Sequence, residues 1–287
     1  MFDFSNHRLP VADGVELAVS IGGSGTPVVL LHGFPQTRLM WRHVAPELAR
    51  DHTVICPDLR GYGDSDKPSG DYSKRVMAAD IVALVAALGF DRFAVAGHDR
   101  GAHVAIRAGL DHPAKVTHVA SLDVLPMLDS WDILHGLNAS VAFHLYLMAQ
   151  PAPLPERMIA GAPDDFFGHF LDAWTNDPNA IPADVRAQYL KASRTAIPSI
   201  VADYRASAGI DLDHDRADRD AGRRLTMPVT VIQQDWGTAL GFDAAALWKP
   251  WAADLEHRTV NAGHFMAEED PALITSELRR LLSRGGR

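Results

Sequence analysis

The stretch AVAGHDRGAHVA, residues 94–105, decides the architecture. Small and β-branched residues lead into Gly97-His98-Asp99-Arg100-Gly101, and a run with helical spacing follows. A glycine-framed pentapeptide between a strand and a helix makes a tight turn, and its central side chain stands exposed at the edge of a sheet. The glycines are needed because the backbone there is strained and its neighbours come close. The frame is best known with serine at its centre; here the centre is Asp99, and Arg100 follows.

Outward from this turn, strands and helices alternate. VELAVS (15–20), PVVLLHG (27–33), HTVICPD (52–58), DRFAVAGHD (91–99) and KVTHVASLD (115–123) read as strands. KRVMAADIVALVAALG (74–89) and RGAHVAIRAGLDHP (100–113) read as helices. That alternation predicts an α/β fold, a mostly parallel sheet flanked by helices. Between about 124 and 225 no buried strand is evident, only proline-punctuated helical pieces: SVAFHLYLMAQ, DDFFGHFLDAW, ADVRAQYLKAS and IPSIVADYRASA. Strands resume with VTVIQQ (229–234) and LEHRTV (255–260), with a helix around AAALWKPWA between them, and PALITSELRRLL (271–282) is a closing amphipathic helix. The expected organisation is a core of residues 1–124 and 226–287, split by a helical cap over 125–225.

Partners for Asp99 follow in the order nucleophile, acid, histidine. Asp123 ends the strand after the turn, in ASLDVLP, and His264 lies in VNAGHFMAEEDP, just past the last strand. His264 is expected as a base oriented by Asp123; Asp235, in IQQDWG, ends the next strand and is the alternative acid. The backbone N–H groups of Phe34, in His32-Gly33-Phe34-Pro35, and of Arg100 would make an oxyanion hole, with His32 itself a packing residue. An aspartate nucleophile suits attack on saturated carbon. Serine would be left as an inert ether, whereas a carboxylate becomes an ester that His264-activated water can cleave. Carbon–halogen bonds and epoxides are the main electrophiles of that kind.

On HGFPQTRLMW (32–41), DLRGYGDSDKP (58–68), AGHDRGA (96–102), LDVLP (122–126), HLYLMAQPAPLPE (144–156), DYRA (203–206) and AGHFMAEEDP (262–271), the chain resembles the α/β-hydrolase superfamily. Within it, the chain is similar to the haloacetate (fluoroacetate) dehalogenase branch, near epoxide hydrolases. The resemblance implies Asp99 as nucleophile, His264 as base and Asp123 as its acid. Arg100 would bind a substrate carboxylate, and His144 and Tyr204 would donate hydrogen bonds to a departing halide. It also implies no cofactor, and suggests a homodimer. Two positions depart from the branch: His103 stands where a second arginine is the pattern, and Leu145 where a tryptophan is. His103 carries only partial charge near neutral pH. The Leu145 side chain has no N–H to give. The segment IQQDWGTALGFD also fits the branch poorly. The expected activity is hydrolytic dehalogenation of short 2-haloacids, shifted by these departures towards chlorinated or brominated acids; epoxide hydrolysis is the alternative.

Bulk properties narrow the partners to a small molecule. The 287 residues carry a net charge of −9, which opposes nucleic acid and anionic membranes. A single cysteine, Cys56, precludes an internal disulfide or a cysteine-rich metal site and fits a reducing, cytoplasmic setting. MFDFSNHRLP has no leader-like pattern, and the apolar run IVALVAALGF is too short to span a bilayer. DLDHDRADRD (211–220) has the wrong residues for a calcium loop and reads as a solvated, mixed-charge linker, with no metal expected. GGSG (22–25) reads as a hairpin loop, and Trp131, Trp174 and Tyr189 as packing residues between cap and core.

Overall fold

A computed structural model describes residues 4–12 and 14–285. Of the decapeptide read for a leader, Met1–Asp3 lie outside the described residues. Eight strands form one sheet: β1 (Ser5–Ala12), β2 (Val15–Gly22), β3 (Thr26–Leu31), β4 (His52–Pro57), β5 (Phe93–His98), β6 (Val116–Leu122), β7 (Leu225–Gln233) and β8 (Ala252–Thr259). Their order is β1-β2-β4-β3-β5-β6-β7-β8. The β1–β2 and β2–β4 pairs are antiparallel, and every other pair is parallel.

The central strands are apolar on both faces because both faces are covered. Side chains alternate accordingly. In β3, Val29 and Leu31 join one core cluster with the helices Lys74–Ala87 and Arg100–Asp111, through Ile81, Leu84, Val104 and Ala105. Val28 and Leu30 point the other way, to Trp41, Leu48, Ile274 and Leu278, the last two on the helix Pro271–Leu282.

The register then sets the site. His98 pairs with Leu122, and Leu122 with Ile232. Asp99, Asp123 and Gln233 therefore leave the sheet side by side.

Among the described residues, only helices and turns lie between β6 and β7, beginning at Met127 and ending at Asp220. They press on the core through buried ion pairs as well as apolar contacts. No helix among the described residues is long and apolar enough to cross a membrane.

Two expectations need correction. GGSG is no hairpin loop: β4 lies between β2 and β3, so the segment is a crossover. Gly23 is required there, since its φ is +76° and a Cβ would sit 2.2 Å from the His52 carbonyl oxygen. Residues 5–12 form an edge strand. Its side chains are largely exposed and polar, and edge position tolerates Pro10. DLDHDRADRD is not a linker but the helix Ile210–Asp220, with Asp211, Asp215 and Asp218 buried on one face. Arg107 takes Asp215 at 2.6 Å and Asp218 at 2.5 Å, and the Lys74 N–H donates to Asp211 at 2.8 Å. A buried stripe made of acids hides from any search for apolar periodicity.

Candidate active site

Asp99 is the last residue before the helix Arg100–Asp111 and holds φ 48°, ψ −116°. Such a backbone costs an L-residue about 1–3 kcal/mol, and close packing maintains it. A Cβ on Gly97 would lie 2.2 Å from the Gly101 oxygen, and one on Gly33 2.4 Å from the Asp99 Cβ. The Phe34 N–H donates to Asp99 Oδ1 at 2.7 Å. Burial favours the neutral acid. The charges of His264 and Arg100 and the Phe34 N–H outweigh it and hold the carboxyl below its usual range.

His264 is buried, and its backbone is pinned at both polar groups. Its N–H donates to the Trp174 carbonyl at 2.9 Å, and its carbonyl lies 2.8 Å from His98 Nε2. Its Nδ1 is 2.6 Å from Asp123 Oδ2. Nε2 stands 3.8 Å from Asp99 Oδ2, with no hydrogen-bond partner among the described residues. Burial opposes protonation of this ring, but the hydrogen bond and charge of Asp123, with Asp99 in support, raise it above an ordinary histidine. Of the two candidate acids, Asp123 takes the histidine. Asp235 is exposed and caps its own turn, accepting from the Thr238 N–H at 3.0 Å and hydroxyl at 2.6 Å.

Arg100 is not waiting for a ligand with its whole fork. Nε and Nη2 each reach the Asp203 carboxylate at 2.9 Å, and Nη2 also bonds the Ser207 hydroxyl. Lys74 pairs with the same carboxylate, and the Tyr62 hydroxyl donates to it at 2.6 Å. Burial would raise the Asp203 carboxyl, but Arg100 and Lys74 pull it well below the ordinary range. The Arg100 guanidinium also lies 4.2 Å from the centre of the Tyr204 ring.

His103 and His144 are neutral. Burial, with Arg100 beside each of them, pushes both down to about 3. His144 Nδ1 and the Tyr204 hydroxyl are buried without a partner among the described residues. Burial and the nearby Asp99 charge push the phenol well up, so it stays protonated.

Asp99, Arg100, His103, Asp123, His144, Leu145, Tyr204 and His264 all border one cavity of about 110 Å³. Its remaining wall is mostly apolar, and Leu134, Val141, Leu240 and Phe242 are part of it. Trp131 and Trp174, expected chiefly as packing residues with the cavity wall as their alternative role, line it; Tyr189 does not, and bonds Glu268 instead. His32 packs as expected, accepting from the Leu59 N–H at 3.0 Å. Asp203, Lys74, Gln234 and Trp236 escaped the sequence reading. Nothing in the spacing of DYRA and IQQDWG shows which distant side chain each residue meets. The assembled set can attack an electrophile with a carboxylate, donate to a leaving group and activate water.

Comparison with known proteins places the chain in a family. A family model described as alpha/beta hydrolase fold matches residues 26–271. A fluoroacetate dehalogenase from Burkholderia sp. is 37% identical, over 99% of this chain and 95% of that protein. A soluble epoxide hydrolase from Corynebacterium sp. (strain C12) is 33% identical, over 93% of this chain and 94% of that protein. A solved structure from Pseudomonas aeruginosa, provisionally named an epoxide hydrolase, is 40% identical and superposes with TM-score 0.93, over 98% of this chain and 96% of that one. With an eight-stranded, mostly parallel sheet and matches of this extent, the chain belongs to the α/β-hydrolase family and is related to fluoroacetate dehalogenase and the epoxide hydrolases.

Proposed function

We propose that this enzyme hydrolyses a neutral electrophile at saturated carbon, an epoxide bearing an apolar substituent, through an alkyl ester on Asp99. The observation that carries this reading is the charge count around the cavity. Arg100 and Lys74 are answered by Asp203 and Asp211, and His103 is neutral. An anionic substrate would therefore sit beside ionised Asp99 with no uncompensated cation. Two such charges 4 Å apart repel by about 4 kcal/mol at an effective dielectric of 20. The apolar wall beyond Leu145 suits a hydrocarbon substituent.

Asp99 attacks the epoxide carbon, the ring C–O bond breaks, and the Tyr204 hydroxyl gives its proton to the leaving oxygen. The phenolate forms over the Arg100 guanidinium while the Asp99 charge disappears into the ester, and both changes favour it. His264 Nε2 then takes a proton from water, and the hydroxide adds to the ester carbonyl carbon. The Phe34 and Arg100 N–H groups hold the oxyanion. As the ester C–O bond breaks, His264 protonates the departing alkoxide. The Asp99 carboxylic acid returns its proton to the Tyr204 phenolate, and a diol leaves.

Dehalogenation of a short 2-haloacid is the second reading, favoured by the relationship to fluoroacetate dehalogenase and by Arg100 on the cavity wall. There His144 and Tyr204 would solvate the halide.

His264→Asn separates the two, because the ester should form and persist. With styrene oxide, the intact mass is expected to rise by one substrate and the adduct to map to the peptide containing Asp99. With chloroacetate no adduct is expected. An adduct from chloroacetate alone would replace the epoxide reading with the haloacid one, and none from either would sink the covalent mechanism for these substrates.

A further inference from the structure

IQQDWG, which begins in the last two residues of β7 and fits the family poorly, surrounds the acid of the triad. Asp123 holds φ 57° and accepts four hydrogen bonds on two oxygens. Oδ2 takes His264 Nδ1 at 2.6 Å and the Gln234 side-chain amide at 2.7 Å. Oδ1 takes the Gln234 backbone N–H at 3.0 Å and the Trp236 indole N–H at 3.1 Å. Three of the four donors thus come from two residues of one turn. That turn is closed by Asp235, which bonds Thr238 from the solvent side. Asp123 itself is anchored to the same strand, its N–H donating to the Ile232 carbonyl at 2.8 Å.

We infer that Gln234 and Trp236 are positioning residues that fix the plane of the Asp123 carboxylate for His264 and spread its negative charge. Donors on both oxygens leave the carboxylate no freedom to rotate, so the Oδ2–Nδ1 contact keeps its direction. They also draw charge away from the imidazole. Without them Asp123 would bind imidazolium more strongly, and His264 would be a base too readily protonated to act near neutral pH. Trp236 lines the cavity as well, so one turn serves both the substrate wall and the triad.

The effect on His264 is separable from its other neighbours. Asp99 and His98 face it from the elbow, His144 from the inserted helices and Glu269 from the helix that follows. His98 and His144 are both held neutral, pushed down to about 3. None of these groups changes in the substitutions below.

Trp236→Phe removes the indole N–H and keeps an aromatic wall; Gln234→Met removes the side-chain donor and keeps the backbone one. In wild type the His264 imidazole, followed by NMR, should titrate above the ordinary value. Each variant should raise it further, by about half a unit. The readout needs no turnover, so it stands or falls separately from the epoxide reading, on which only the role of His264 as a base rests. Where turnover is measurable, the acid limb of kcat should move to higher pH by the same amount in both variants. A kcat lowered equally at all pH values, with the His264 titration in place, would reduce both residues to structural filler and overturn the inference. A downward shift would overturn it too.

Discussion

In Asp99→Ala, turnover is expected to fall by about 10,000-fold or more while the fold persists. In the proposed mechanism Asp99 forms and carries the ester in both steps, so no neighbour could replace it. Asp123 is committed to His264, and Asp203 to Arg100 and Lys74. Removing the carboxylate relieves a buried anion but leaves the Phe34 N–H without its acceptor, so thermal stability should change far less than activity. Rates on an epoxide panel, paired with a thermal melt, test both halves. Residual turnover above one per cent of wild type would mean that another group attacks and would sink the covalent role of Asp99.

Asp203→Asn is expected to have the largest effect on stability. The side chain is fully buried and serves Arg100, Lys74 and Tyr62 at once. Asparagine keeps the shape but leaves two buried cations short of a counter-charge. Breaking a buried pair in this way costs about 3–5 kcal/mol. For a chain of this size that is a fall in Tm of roughly 10 °C. Because the Asp203 carboxyl is held below its ordinary range, the stability it supplies is present at neutral pH. It is lost only as pH drops through and below that range. The wild-type and variant melting temperatures should therefore converge in acid. The same substitution uncovers positive charge on Arg100, so affinity for haloacids should rise relative to epoxides. A variant as stable as wild type at neutral pH, with unchanged preference between the two substrate types, would show that Asp203 does not set the charge of the cavity.

Much of this protein is legible without coordinates. The glycines at 97 and 101 mark a turn that only a strand–turn–helix can use, and β-branched runs alternate with helical periods on both sides of it. Asp123 and His264 follow strand ends, where a parallel sheet collects its loops. The reading weakened where burial and polarity part company. Asp211, Asp215 and Asp218 recur at helical spacing, but a charged stripe reads as solvated until Arg107 and Lys74 appear opposite it. Arg100 beside Asp99 reads as a free cation until Asp203, on a helix of the insertion, closes on it.

The sequence by itself determined the sheet, its helical insertion, the elbow and the order of the residues around it. These follow from local propensity, periodicity and glycine geometry, all of which act over a few residues. Only the tertiary structure decided which acid holds His264, whether Arg100 carries net charge into the cavity, and that Gln234 and Trp236 surround Asp123. Those outcomes depend on pair distances between residues roughly a hundred positions apart, and on burial that neutralises His103 and His144. Charge compensation and hydrogen-bond direction fall off within a few ångströms, so no spacing along the chain encodes them.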